Sequence, residues 1–160
     1  MNRASARCDL GLSLRRAGHW DLADFDWLDS VLTLNSSLRS CWRQYMDGLH
    51  PVTLYMYPAN ELVRIGPPPT HRDWARRWVD AGGHTFDGRM IALKDDPIWC
   101  AISDFQLPFP PFAVGSGMGV RDVDRDTAEK LGVVARHQRV SPKEVRRPSL
   151  IMLEQTREEA

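Results

Sequence analysis

Apolar residues recur at three- and four-residue steps over one long stretch of the chain. Leu22, Phe25, Leu28, Val31 and Leu32, then Leu38, Trp42 and Tyr45, fall on one face of a helix. Asp21, Asp24, Asp26 and Asp29 crowd its start, where the helix dipole favours negative charge. Asn35-Ser36-Ser37 offers a place to split it in two, and Gly48 with His50-Pro51 marks its end. Upstream, Arg3, Arg7, Arg15 and Arg16 alternate with Leu10, Leu12 and Leu14, which suits a second, basic helix.

The pattern then changes. Val52 to Tyr57 is β-branched and aromatic and predicts a strand. Pro58-Ala59-Asn60 breaks it, and Glu61 to Ile65 resumes extended structure. Gly66-Pro67-Pro68-Pro69 reads as a rigid connector. Thr70 as N-cap with Asp73 three residues on predicts a short helix through Trp74, Trp78 and Val79, closed by Gly82-Gly83. Met90 to Leu93 suits a short strand, and Asp95-Asp96-Pro97 a turn leading into Trp99. Pro108 to Phe112 is neither helix interior nor central strand. Gly115 to Gly119 reads as a flexible turn. Asp124 caps a short helix ending at Gly132, and Ser141-Pro142-Lys143-Glu144 has the form of another helix start. The last twelve residues suit a terminal helix.

These readings add up to an α+β protein with one or two N-terminal helices, a small short-stranded β region and a loop-rich C-terminal half with brief helices. Three segments suggest themselves inside one compact domain: 1–65, helical plus a strand; 66–135, loop-rich; and 136–160, basic. Composition narrows the class. With 42% hydrophobic and 26% charged residues the chain has enough apolar content for a core, which excludes disorder. No apolar stretch approaches the ~20 residues of a membrane span, and the N-terminus lacks a signal-peptide core. No membrane association is expected. Cys8, Cys41 and Cys100 are odd in number and widely spaced, which argues against a disulfide framework and for a reducing compartment.

Candidate chemistry is sparse. Gly115-Ser116-Gly117-Met118-Gly119 has neither the preceding strand nor the following Lys-Ser/Thr of a phosphate loop, and Gly-Ser-Gly is not a nucleophile elbow. His84, Asp87, Asp95 and Asp96 lie within thirteen residues and open the alternative of a metal-dependent enzyme or toxin. No histidine pair at helical spacing supports it. The residues alone call for no cofactor and no catalytic group. Arg136, Arg139, Lys143, Arg146 and Arg147 stand against Glu144 alone, a basic run suited to phosphate or to an acidic partner, and open the alternative of a nucleic-acid-binding accessory protein. Six tryptophans are many for this length. The pair Trp74 and Trp78, one helical turn apart, suits either a core or a partner surface.

One run of residues has a recognisable order. His84-Thr-Phe-Asp-Gly-Arg-Met-Ile-Ala-Leu-Lys-Asp-Asp-Pro-Ile-Trp99, followed by Pro110-Pro111-Phe112, resembles the C-terminal signature of the phage head morphogenesis domain, found in minor head proteins like the F protein of phage Mu. His84, Gly88, Asp96, Pro97, Trp99, Pro110 and Pro111 carry the match. The sequence departs from that pattern where a Cys-Arg-Cys element is expected, with Ser116-Gly117-Met118 in its place and Arg121-Asp122-Val123 after it. The likeness covers about 45 residues well and 3–133 loosely. It implies a non-enzymatic minor capsid component, located in the virion or the host cytoplasm and oligomeric in assembly. Its partners would be portal and capsid proteins, with DNA contacted through the basic run.

Overall fold

The computed structural model describes residues 3–19, 25–67 and 71–149, with the backbone alone at Arg3 and Phe25. The expected features at Asp21, Leu22, Asp24, Pro68, Pro69, Thr70 and 150–160 lie outside the described residues. Two units emerge, one of residues 40–147 and one of 1–39 with 148–160, so the division falls inside the second helix.

The first unit in the chain holds α1 (Arg3–Arg16) and the start of α2 (Phe25–Gly48). Leu28, Val31, Leu34 and Leu38 form the buried stripe of α2. The helix does not split at Asn35-Ser36-Ser37. The Asn35 amide donates to the Val31 carbonyl at 2.8 Å, one turn back, so this polar side chain bonds within the helix. Arg7 of α1 pairs with Asp29 of α2 at 2.9 Å.

In residues 40–147 the expected strand at Val52 to Tyr57 is instead a helix, α3 (Pro51–Met56). His50 caps it, its Nδ1 accepting from the Val52 amide, and Pro51 supplies a pre-set first turn. Strand propensity reflects packing on a half-buried pleated surface, and no residue of α3 is buried. The expectation at Glu61 to Ile65 matches β1 (Ala59–Arg64), and that at Met90 to Leu93 matches β3 (Arg89–Leu93). With β2 (Thr85–Phe86) and β4 (Met118–Val123) they form an antiparallel sheet in the order β2-β3-β1-β4. Pairing of β1 with β3 and β4 ties residues before position 65 to residues after it. The 136–147 stretch joins the same unit, with Val140 buried.

Between the strands lie α4 (Trp74–Asp80), α5 (Ile98–Ala101) and, after β4, α6 (Arg125–Lys130). Asp73 caps α4 by accepting from the Arg76 amide at 3.0 Å. Asp124 caps α6 as expected, and Gly132 follows with φ +75. No helix forms at Ser141 to Glu144. The Ser141 amide is held by Asp95 Oδ2 at 2.9 Å, while the carbonyls of Lys143 and Val145 accept from Tyr45 and Trp42. These bonds hold the segment in an irregular conformation. The glycine-rich turn is shorter than expected, because Met118 and Gly119 belong to β4.

Each sheet face covers a different core. On one lie Leu62, Ala92 and Met118 with Trp74, Trp78, Trp99, Ile102 and Phe112. Trp78 meets Trp99 edge-on at 5.4 Å, and Trp99 stacks on Phe112 at 6.0 Å. The other face packs Ala59, Ile91 and Val123 against Ala128 and Val134.

Candidate docking face and groove

Of the residues that carry the resemblance, Trp99 lies in the aromatic core beside Trp78 and Phe112, whereas His84, Gly88 and Pro97 are exposed. Trp99 Nε1 donates to the Leu93 carbonyl at 2.8 Å, and Trp78 Nε1 to the His84 carbonyl at 2.9 Å. Both indoles are buried with their one donor satisfied, as burial demands. Asp96 Oδ1 accepts from the Ile98 amide at 2.8 Å and starts α5 after Pro97. Asp87 (φ 50) and Gly88 (φ 72) make the two-residue turn joining β2 to β3, the left-handed pair a tight hairpin requires. Pro110-Pro111 carries a cis bond and leads into Phe112, whose carbonyl accepts from the Asp104 amide at 2.8 Å.

The candidate acid–base and metal residues do not assemble. His84 is exposed, Asp95 accepts from the Ser141 amide and Asp96 from the Ile98 amide. Among the described residues, no three His, Cys, Asp or Glu side chains lie together as a metal site. Ser116 is buried, and its Oγ accepts from the Met118 amide at 3.3 Å. Cys8, Cys41 and Cys100 are free thiols, and burial pushes the thiols of Cys41 and Cys100 up. No described helix is long and apolar enough to cross a membrane.

Of the candidate partner residues, Trp74 and Trp78 are 4% and 0% exposed, so they offer no surface and belong to the core. The basic residues are disposed the other way. Arg136, Arg139, Lys143, Arg146 and Arg147 are all exposed, on a segment without helix or strand that two side chains of α2 hold in place. The Trp42 indole donates to the Val145 carbonyl and the Tyr45 hydroxyl to the Lys143 carbonyl, each at 2.8 Å. Trp42 is half-buried in this clasp. Burial, with the nearby Cys100 adding to it, pushes the Tyr45 phenol up to about 12.

Two features were not visible in the sequence. On the smaller core's sheet face, Glu61 lies between Arg89 at 2.6 Å and Arg121 at 2.7 Å. The hydrogen bond from Arg89 does most to hold its carboxyl below the usual range; burial opposes this and the bond from Arg121 adds to it. On the other face, a groove of about 390 Å³ opens beside the last turns of α2, with Asn60, Lys94 and Asp122 among the residues that line it. These groups come from three strands or strand ends, and only the sheet register brings them together. Neither protein-family models, nor curated proteins, nor solved structures yield a match to this chain.

Proposed function

We propose that this chain is a non-enzymatic assembly protein of the phage minor-head type, acting through contacts with portal and capsid proteins. The observation that carries the reading is the fate of Trp99 and Phe112: they stack in the aromatic core, and Asp96 is bonded to the Ile98 amide, instead of lining a reactive site. A loop-rich segment held this way offers partners a fixed outer surface. The five exposed basic residues at 136–147 are the contact we assign to portal, capsid or DNA. In that role the protein resides in the virion or the host cytoplasm and is oligomeric within the assembly.

Light scattering on the chain alone and mixed with phage portal and capsid proteins tests the reading. Co-elution at the summed mass supports it, and a monomer indifferent to both overturns it. Reversing Arg146 and Arg147 to glutamate should weaken whichever complex forms; unchanged binding removes the basic segment from the contact. The same exposed segment favours a second reading, a nucleic-acid-binding accessory protein, marked by DNA retention that falls steeply with salt. A melting temperature raised by divalent metal would instead support the metal-dependent alternative around His84.

A further inference from the structure

We propose that the groove beside α2 is a binding site for one uncharged apolar group that carries an amide. At about 390 Å³ it falls within the range of ligand pockets, roughly 300–1,000 Å³. Its walls are apolar: Tyr45 and Leu49 from α2 and the turn after it, Phe109 from the proline-rich loop and Val120 from β4. The Tyr45 and Phe109 rings lie 5.3 Å apart, close enough to act as one surface.

The polar lining residues decide the class of ligand. The Lys94 side chain is 8% exposed, and its Nζ lies 2.6 Å from Asp122 Oδ1; the Asp122 side chain is 54% exposed. Asn60 sits opposite Asp122 in the sheet register, and its amide nitrogen, turned toward that carboxylate, donates to Oδ1 at 3.1 Å. An ammonium has three donors, and among the described residues Asp122 is the one partner of this one. The carboxylate likewise has accepting capacity beyond Oδ1. Donor and acceptor thus stand side by side in a pair whose charges cancel. A carboxylate ligand would meet Lys94 but also Asp122, and an ammonium ligand would meet the reverse. An amide satisfies both, its oxygen accepting from Lys94 and its N–H donating to Asp122, with no net charge brought into a half-enclosed site. The proposal stands independently of the assembly reading.

The test is a titration of the full chain with N-acetylphenylalaninamide, read by amide chemical shifts. Saturable shifts at Asn60, Val120 and Asp122 with a Kd of about 1 mM are expected. N-acetylphenylalanine, an anion, and phenethylammonium, a cation, should bind about tenfold more weakly. Lys94→Met should cost the neutral probe a similar factor, and Gln44→Trp, at an exposed helix position on the groove's rim, should abolish its binding. Should Lys94→Met fail to fold, Gln44→Trp still carries the test. Equal binding of 4-phenylbutanamide would assign a free carboxamide as ligand, and much weaker binding a peptide amide. Absence of saturable shifts, equal affinity for all three charge types, or undiminished binding to the Gln44→Trp variant would overturn the proposal.

Discussion

The two faces of the same four strands are held by different physics. One is covered by large rings, of which Trp78 and Trp99 donate their indole N–H groups to backbone carbonyls. The other combines small aliphatic side chains with a carboxylate fixed between two guanidinium groups. β1 serves both, turning Leu62 to the rings and Ala59 and Glu61 to the opposite side. Ring packing is intolerant of added or removed volume, whereas the triad joins a nearly buried carboxylate to two arginines that reach solvent, so its contribution follows the carboxylate's charge. The aromatic face therefore fixes the shape of the loop-rich half, and the charged face tunes its stability.

The largest effect should come from emptying the aromatic face. Trp99→Ala removes a ring 1% exposed together with its bond to Leu93, and should cost about 3–5 kcal/mol in urea unfolding. A loss below about 1 kcal/mol would mean the rings are not what holds this side. Overfilling the same face should come next. Gly83→Ala would place a Cβ 2.4 Å from both Trp78 Nε1 and Ile98 Cδ1, at a cost of about 1–3 kcal/mol.

On the charged face the effect is smaller and depends on pH. Because Glu61 has a depressed pKa, its contribution is fully present above the ordinary glutamate value and is lost as pH falls through the depressed one. Glu61→Gln should remove that acid-side loss, giving a flatter fall in stability than the wild type, and should cost about 1–2 kcal/mol at neutral pH. Parallel curves for the two proteins would remove the triad from the account. Asp73→Ala, which uncaps α4 beneath the rings, should cost about 1 kcal/mol in the same assay.

Much of this division was legible in the sequence. Periodicity located α2, extended composition β1 and β3, and capping residues α6. The α+β class followed from those elements. Val52 to Tyr57 misled because a strand-like composition was set against a proline and a capping histidine, and the local start signal won. The helix expected at Ser141 failed for a long-range reason, since Asp95, Tyr45 and Trp42 claim its backbone. Asp87-Gly88 carried a hairpin signal in plain view, and it would have placed β2 beside β3. The convergence of Asp96, Trp99 and Phe112 was suggested by their order along the chain. Glu61 with its two arginines and Lys94 with Asp122 were hidden, because each pairs residues at least 28 positions apart through strand register alone.

The central claim is that the loop-rich signature is scaffold, as rigid as the sheet it covers. Native-state hydrogen exchange measures this directly at the Asp104 amide, which is bonded to the Phe112 carbonyl inside the proline-rich loop, and at Ile102, bonded to Ile98. The account predicts that both exchange as slowly as the β1 amides of Leu62 and Val63, through global unfolding. Exchange at Asp104 and Ile102 orders of magnitude faster than in β1 would show a loop that opens on its own, and would contradict it.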